Sequence, residues 1–237
     1  INKHLDDPEV AKAKDEKEAL KIIKKKTELI HQAKLAKSFD LSKTQHKLLF
    51  QKGNSFEILQ SLPKASFDII LTDPPYGVGA HNFGSQASTG HNYKDTETYF
   101  KELSSVLADE SYRVAKERAH AYIFCDIRKF EHLGAIMVLA GWTVFPTPIY
   151  WYKGNGMVPF PKHGPRRTVE CILYAWKGDR ETLVLKNDCI TRIPGIRGKE
   201  LEHGAQKPVA LYCELLSRSA RPADTVLDFF GGRGTIL

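Results

Sequence analysis

The chain has 237 residues, 42% of them hydrophobic, enough for one α/β domain of ordinary size with its own core, alone or with an extension. No apolar run approaches the roughly 20 residues that a membrane-spanning helix needs, and no signal-peptide pattern follows Ile1. The formal net charge of +7 suits a polyanionic partner without specifying one.

Residues 8–39 read as a helix, with Pro8 where a first helical turn tolerates proline. Leu20, Ile23 and Ile30, with the offset Ile22, Leu29 and Ala33, form a broken apolar stripe. Lys12, Lys14, Lys17, Lys21, Lys24, Lys25 and Lys26 fill the other face, with Asp15, Glu16 and Glu18 among them. The acids dilute the positive face, so a solvated amphipathic helix is favoured over a basic DNA-contacting arm. Such a helix packs on the main domain, or on a second copy or partner subunit.

From residue 48 the texture changes. Residues 48–51 read as a short strand ending at Gly53-Asn54, and residues 56–62 as a short helix stopped by Pro63. Residues 67–72 are a near-continuous apolar run, as in a strand buried on both faces of a parallel sheet. The run ends abruptly in Asp73-Pro74-Pro75-Tyr76-Gly77, and residues 77–95 follow as a long polar loop. Next come a helix over 99–117, a strand over 120–125, a helix over 128–140 and strands over 143–152 and 168–176. A Gly/Pro/basic loop, 153–167, separates the last two strands. Residues 179–206 are irregular, 209–219 helical, and 225–228 a final buried strand leading into Phe229-Phe230-Gly231-Gly232-Arg233-Gly234.

Strands alternating with helices imply a doubly wound, mostly parallel sheet. Ligands of such sheets bind at the carboxyl ends of the strands, so the motifs at 73–77 and 228–234 are expected to share one crevice. The expected organisation is a helical basic extension over 1–45 and one catalytic domain over 46–237. The start at Ile1, and an end at 234–237 that reads as a helix cut short, imply a longer natural chain at both ends. Cys125, Cys171, Cys189 and Cys213 are widely spaced without a CxxC, which argues against a zinc site and a disulfide framework. Reduced, core-facing cysteines in an intracellular protein are expected.

Two strings carry the chemistry. In Asp73-Pro74-Pro75-Tyr76 the prolines remove backbone donors and stiffen the turn. A rigid turn after a strand aims a carboxylate, the Pro74 carbonyl and an aromatic ring at one point. That set suits an amino group on a flat ring: two acceptors for its two N–H groups, and Tyr76 to stack on the ring. Acceptors out of the ring plane expose the nitrogen lone pair to an in-line methyl donor. Alone, the tetrapeptide is equally compatible with a tight turn. In Leu227-Asp228-Phe229-Phe230-Gly231-Gly232-Arg233-Gly234-Thr235 the glycines let the backbone approach a ligand, and Asp228 can pair with an ammonium. The turn also resembles a dinucleotide site, but a nicotinamide enzyme would need its acidic ribose ligand about 20 residues later, and the chain ends first.

Together, GNSFEILQSLPKASFDIILTDPPYG and HGAQKPVALYCELLSRSARPADTVLDFFGGRG resemble the amino-group DNA methyltransferases, in the permuted order with the catalytic motif ahead of the cofactor motif. The resemblance implies a Rossmann-like fold and S-adenosylmethionine as methyl donor. It implies Asp73, Pro74, Pro75 and Tyr76 as catalytic residues, and Asn54, Lys207, Asp228, Phe230, Gly231, Gly234 and Thr235 around the cofactor. Three positions depart from the family's pattern: Asn54 where Asp is usual, Phe229 where Pro is usual, and Arg233 where Ser is usual.

The Asp of the catalytic motif points to N6 of adenine, since relatives acting on N4 of cytosine more often carry Ser there. A base in a duplex must be flipped out to reach such a pocket. Lys153, Lys162, His163, Arg166 and Arg167 are the candidate DNA contacts, with Arg192, Arg197 and Lys199 able to add to them. The alternatives are a cytosine-N4 or RNA methyltransferase and a catalytically silent DNA-binding subunit. A cytoplasmic location in a bacterial or phage-infected cell is expected.

Overall fold

A computed structural model describes residues 7–11, 13–20, 22, 23, 26, 51–76, 97–154, 156, 158, 162–196, 206–232, 234 and 236. The chain divides into two compact units, Ile1–Leu49 and Phe50–Leu237. In the first, a helical turn over Pro8–Ala11 ends, and helix resumes only at Glu16. The continuous helix expected from residue 8 is therefore broken. The cause is Asp15, whose carboxylate accepts from the Glu18 amide at 2.7 Å while the Glu18 carboxylate reaches back to the Lys14 amide at 2.9 Å. That exchange caps a new helix start. Residues 27–50, including most of the expected strand over 48–51, lie outside the described residues.

In the second unit, helix α1 (Ser55–Ser61) precedes strand β1 (Phe67–Thr72). Helix α2 (Glu97–Val114) runs directly into β2 (Ala115–Cys125), which a single 3-10 turn joins to α3 (Phe130–Leu139). Then follow β3 (Thr143–Val144), β4 (Ile149–Tyr152), β5 (Val169–Lys177), β6 (Cys189–Ile190), α4 (Val209–Leu216) and β7 (Val226–Leu227). The sheet order is β6-β4-β5-β2-β1-β7, with β3 also on β5. β1 is parallel to β2 and β7, and β4 is parallel to β6. Every antiparallel pair involves β5. All the strands but β5 therefore point one way.

Alternate residues of the central strands feed two apolar layers. Ile70, Ala121, Ile123 and Leu173 pack with Leu59 of α1, Leu107 of α2, and Leu133 and Met137 of α3. Ile69, Leu71, Tyr122, Phe124 and Ile172 pack with Leu211, Tyr212 and Leu215 of α4. Helices thus cover both faces, and burial of both faces accounts for the unbroken apolar texture of β1.

Three boundaries differ from the sequence reading. Residues 115–117, expected as the end of a helix, are strand: Ala115 is buried and pairs with Phe67. The strand expected over 143–152 is two strands, because Pro146 and Pro148 stand between them and cannot donate to a ladder. Residues 189–190, expected as irregular, form the edge strand β6 on β4. Cys125 and Cys171 are buried as expected, but Cys189 and Cys213 are exposed. No helix among the described residues is long and apolar enough to cross a membrane.

At the amino-terminal edge of the sheet, Asp68 accepts from Lys116 Nζ at 2.7 Å, Thr225 N at 2.8 Å and Thr225 Oγ1 at 2.8 Å. Arg180, buried just after β5, pairs with Asp224. These ions tie the starts of β1, β2 and β7 together and leave the opposite edge for chemistry. Gly178 makes the turn between β5 and Arg180 at φ +64°, and a Cβ there would stand 2.2 Å from the Glu117 carbonyl oxygen. Gly178→Ala should therefore destabilise the domain by at least about 1–3 kcal/mol, read as a lowered midpoint in thermal or urea unfolding.

Candidate active site

The carboxyl ends of β1, β2, β4 and β7 deliver Asp73, Asp126, Lys153 and Asp228 to one edge. Because β5 is reversed, its first residues reach the same edge, and they bring Glu170.

Asp73 and Asp228 lie 155 positions apart in sequence and meet through Thr72. The buried Thr72 hydroxyl donates to Asp228 Oδ1 at 2.7 Å and accepts from the Phe229 amide at 3.2 Å. Asp228 Oδ1 also accepts from the Phe230 amide at 2.9 Å. Its second oxygen has no protein donor among the described residues. Burial pushes the Asp228 carboxyl up to about 6, against the lowering effect of the Thr72 and Phe230 bonds.

The turn after β7 passes through glycines. Gly232 and Gly234 have φ of +50° and +75°, a conformation that favours glycine. Among the described residues, a Cβ at Gly232 would meet only the Phe230 carbonyl oxygen, at 3.7 Å. Phe229 points inward and is part of the first apolar layer, which accounts for a bulky residue at that position. Ser55 Oγ donates to the Phe229 carbonyl at 2.8 Å, which brings the start of α1 against this turn. Asn54 is the N-cap of α1: its Oδ1 accepts from Phe56 N at 3.1 Å and its Nδ2 donates to Glu57 at 3.1 Å. Thr235 and Arg233 lie outside the described residues, as do residues 77–96, the polar loop.

Around Asp73 the side chains form a charge chain. Tyr76 Oη donates to Asp73 Oδ1 at 2.6 Å, and Lys207 Nζ donates to Asp73 Oδ2 at 2.5 Å. Tyr76 thus spends its hydroxyl on Asp73, and burial with the nearby Asp73 and Glu170 charges holds its phenol well above the ordinary range. Lys207, only 6% exposed, stands 5.1 Å from the Phe124 ring centre and 5.7 Å from that of Tyr76. Burial pulls its pKa down, but Asp73 and Glu170 outweigh that, so the ammonium is held more firmly than usual. Glu170 Oε1 accepts from Lys153 Nζ at 2.5 Å, and Oε2 lies 3.4 Å from Lys207 Nζ. Burial raises the Glu170 carboxyl, yet the two lysines more than offset it, so its pKa is lowered.

The expected DNA contacts fall into two groups. Lys153 and Arg167 are engaged by protein carboxylates, Arg167 with the buried Asp126 at 2.6 Å, which also holds Arg128 at 2.9 Å. Lys162, His163 and Arg166 are exposed, and Arg166 donates to the Gly156 carbonyl at 2.7 Å. Arg192 is exposed, while Arg197 and Lys199 lie outside the described residues. The sequence reading missed Glu170 and Asp126. Asp126 follows a buried strand just as Asp73 does, a usable signal; Glu170 becomes visible only once β5 is known to be reversed.

Comparison with known proteins gives a consistent result. The DNA methylase family N6_N4_Mtase matches residues 67–237. The type II methyltransferase M.HpaI of Haemophilus parainfluenzae is 26% identical over 206 residues, covering 78% of this chain and 63% of that protein. The chain therefore spans less than two thirds of that relative's length. The M1.HpyAVI–SAM complex superimposes with TM-score 0.55 at 24% identity, over 77% of this chain and 82% of that one. The cytosine-N4-specific PvuII DNA methyltransferase gives TM-score 0.59 at 18% identity, over 77% and 74%. The Rossmann-like methyltransferase fold is thereby established.

The Asp228 carboxyl carries a pH signature. Its folded-state pKa of about 6 lies above the unfolded carboxyl value of about 3.9, so the folded state holds the proton more tightly. The stabilisation is complete below about pH 3.9 and is lost as the pH rises through about 6. Asp228→Asn should show no such loss. Its melting temperature relative to the parent should rise between about pH 4 and 8; an unchanged difference across that range would place the carboxyl at an ordinary pKa.

Proposed function

We propose a function that follows from kinship: this chain belongs to the N6_N4_Mtase family of DNA methylases, and it transfers a methyl group from S-adenosylmethionine to the exocyclic amino group of a flipped DNA base, N6 of adenine. The observation that carries the proposal is the Thr72 bridge, which sets Asp73 beside the glycine-containing turn at Asp228.

The residues suit the cofactor. Asp228 keeps one carboxylate oxygen for an ammonium or hydroxyl donor, and Gln206 Oε1, next to Lys207, is buried without a partner among the described residues. Asp228, Phe230, Gly231 and Gly234 would hold the cofactor, with Asn54 and Lys207 close by and Thr235 assigned by resemblance alone. When bound, S-adenosylmethionine supplies a methyl group on a sulfonium sulfur, which the amino nitrogen takes as the carbon–sulfur bond breaks. The protein's task is to make that nitrogen nucleophilic. Asp73 accepts one N–H and the Pro74 carbonyl the other, drawing the lone pair out of the ring system. Each Asp73 oxygen has a second lone pair beyond the one used by Tyr76 or Lys207, so both partners orient the carboxylate without filling it. Pro74 is buried and Pro75 stiffens the turn, so the acceptors are already in place when the base arrives.

Adenine is favoured over cytosine because Asp73, rather than Ser, heads the motif. The family embraces N6 and N4 chemistry, so cytosine N4 is the second reading. Lys162, His163, Arg166 and Arg167 are assigned to DNA phosphates, and Lys153 to the rim of the base pocket. The relative's type II designation favours a restriction–modification role in the bacterial cytoplasm.

Labelled S-adenosylmethionine, incubated with this protein and unmethylated DNA, should place label in N6-methyladenine after hydrolysis to nucleosides. Label in N4-methylcytosine would select the second reading, and no label in DNA would contradict the proposal. Asp73→Asn should lower the transfer rate on the order of 10²–10³-fold while DNA affinity stays near wild type. Lys162→Ala and Arg166→Ala should weaken DNA binding without changing sequence preference. Each should reduce the slope of log affinity against log salt by about one, measured by fluorescence anisotropy.

A further inference from the structure

We propose that Glu170 is a positioning residue for the reaction: it shares Lys207 with Asp73 and thereby sets how tightly that ammonium holds the Asp73 carboxylate. The inference rests on the reading of Asp73 as the acceptor of the base amino group.

Lys207 Nζ has two carboxylate neighbours among the described residues, and they are unequal. Asp73 Oδ2 is at 2.5 Å in a hydrogen bond, while Glu170 Oε2 is at 3.4 Å. That Glu170 oxygen is buried and makes no hydrogen bond among the described residues. A buried acceptor without a donor is costly, and a purely structural ion pair would close the gap. Here the gap is held open. Glu170 is anchored through its other oxygen to Lys153 at 2.5 Å, and Lys207 leans towards Asp73. The lysine is therefore hydrogen-bonded to one carboxylate at 2.5 Å and in a longer ion pair with the other at 3.4 Å, and a small shift exchanges them.

The exchange matters for the acceptor. A carboxylate already bound to an ammonium is a weaker partner for a further donor, because its charge is partly neutralised. When a base amino group donates to Asp73, Lys207 relaxes towards Glu170, and Asp73 recovers charge as the nitrogen needs it. Among the described residues the charges balance, with Asp73 and Glu170 against Lys207 and Lys153. Loss of the Glu170 charge removes the second carboxylate towards which Lys207 relaxes. Only the reversed direction of β5 puts a carboxylate at this place, since Glu170 opposes Trp151 at the carboxyl end of β4.

The test is Glu170→Gln in the full chain, with Glu170→Asp as the conservative partner, assayed by single-turnover methyl transfer. Glu170→Gln should lower the transfer rate on the order of 10- to 100-fold, with KM for cofactor and for DNA little changed. Glu170→Asp should recover a large part of the loss. An active wild type with an equally active Gln variant would overturn the inference, as would a loss lying wholly in KM. If the Gln variant fails to fold, Glu170→Asn is compared with Glu170→Asp, which has the same length and keeps the charge: a lower rate in Asn than in Asp at unchanged KM supports the role, and equal rates overturn it. An inactive wild type would instead contradict the proposed function.

Discussion

Thr72 is wholly buried at the end of β1, and a buried hydroxyl must be satisfied as donor and acceptor. It finds both on the turn that leaves β7, giving its proton to Asp228 and taking the Phe229 amide. That pairing is possible because β1 is flanked by β2 and β7 in parallel, so all three strands deliver their carboxyl ends to one side. The ions around Asp68 and Arg180 hold the opposite ends in register. The two polar clusters thus divide the labour: one fixes strand order, and the other gathers two sequence-distant motifs.

The carboxyl edge of the sheet carries charges in a partly buried setting, and it does so by alternation. Tyr76, Asp73, Lys207, Glu170 and Lys153 form a chain in which each carboxylate faces an ammonium. An isolated buried ammonium would be driven to lose its proton, yet Lys207 is held charged by its two carboxylate neighbours. Asp228 is different. It has hydrogen-bond donors but no cation among the described residues, and burial, with the nearby Asp73 charge, raises its carboxyl.

Much of this was legible in the sequence, for identifiable reasons. The apolar run of β1 has one meaning in an α/β chain, and its end at Asp73-Pro74 is marked by residues that cannot continue a strand. The Gly-rich turn after β7 was equally plain. Direction was hidden: nothing in residues 169–177 says that β5 runs against its neighbours, so Glu170 read as an ordinary polar residue in a strand. Local competition was hidden too. Asp15 caps a new helix inside a helical pattern, and α2 passes into β2 at Ala115 without a Gly or Pro to mark the change. The reading of Tyr76 as a stacking ring did not foresee that its hydroxyl is committed to Asp73, a contact set by the turn's geometry.

On the proposed function, the Asp73 and Asp228 halves form one site, with the base amino group at the first and the methyl donor at the second. A crystal structure of the protein with S-adenosylhomocysteine and a duplex bearing its target adenine tests this most directly. The expected complex has an extruded adenine whose amino nitrogen is within hydrogen-bond distance of Asp73 and the Pro74 carbonyl, with the cofactor amino acid group on Asp228. A cofactor bound away from Asp228, or an extruded base whose amino group faces away from Asp73, would contradict it.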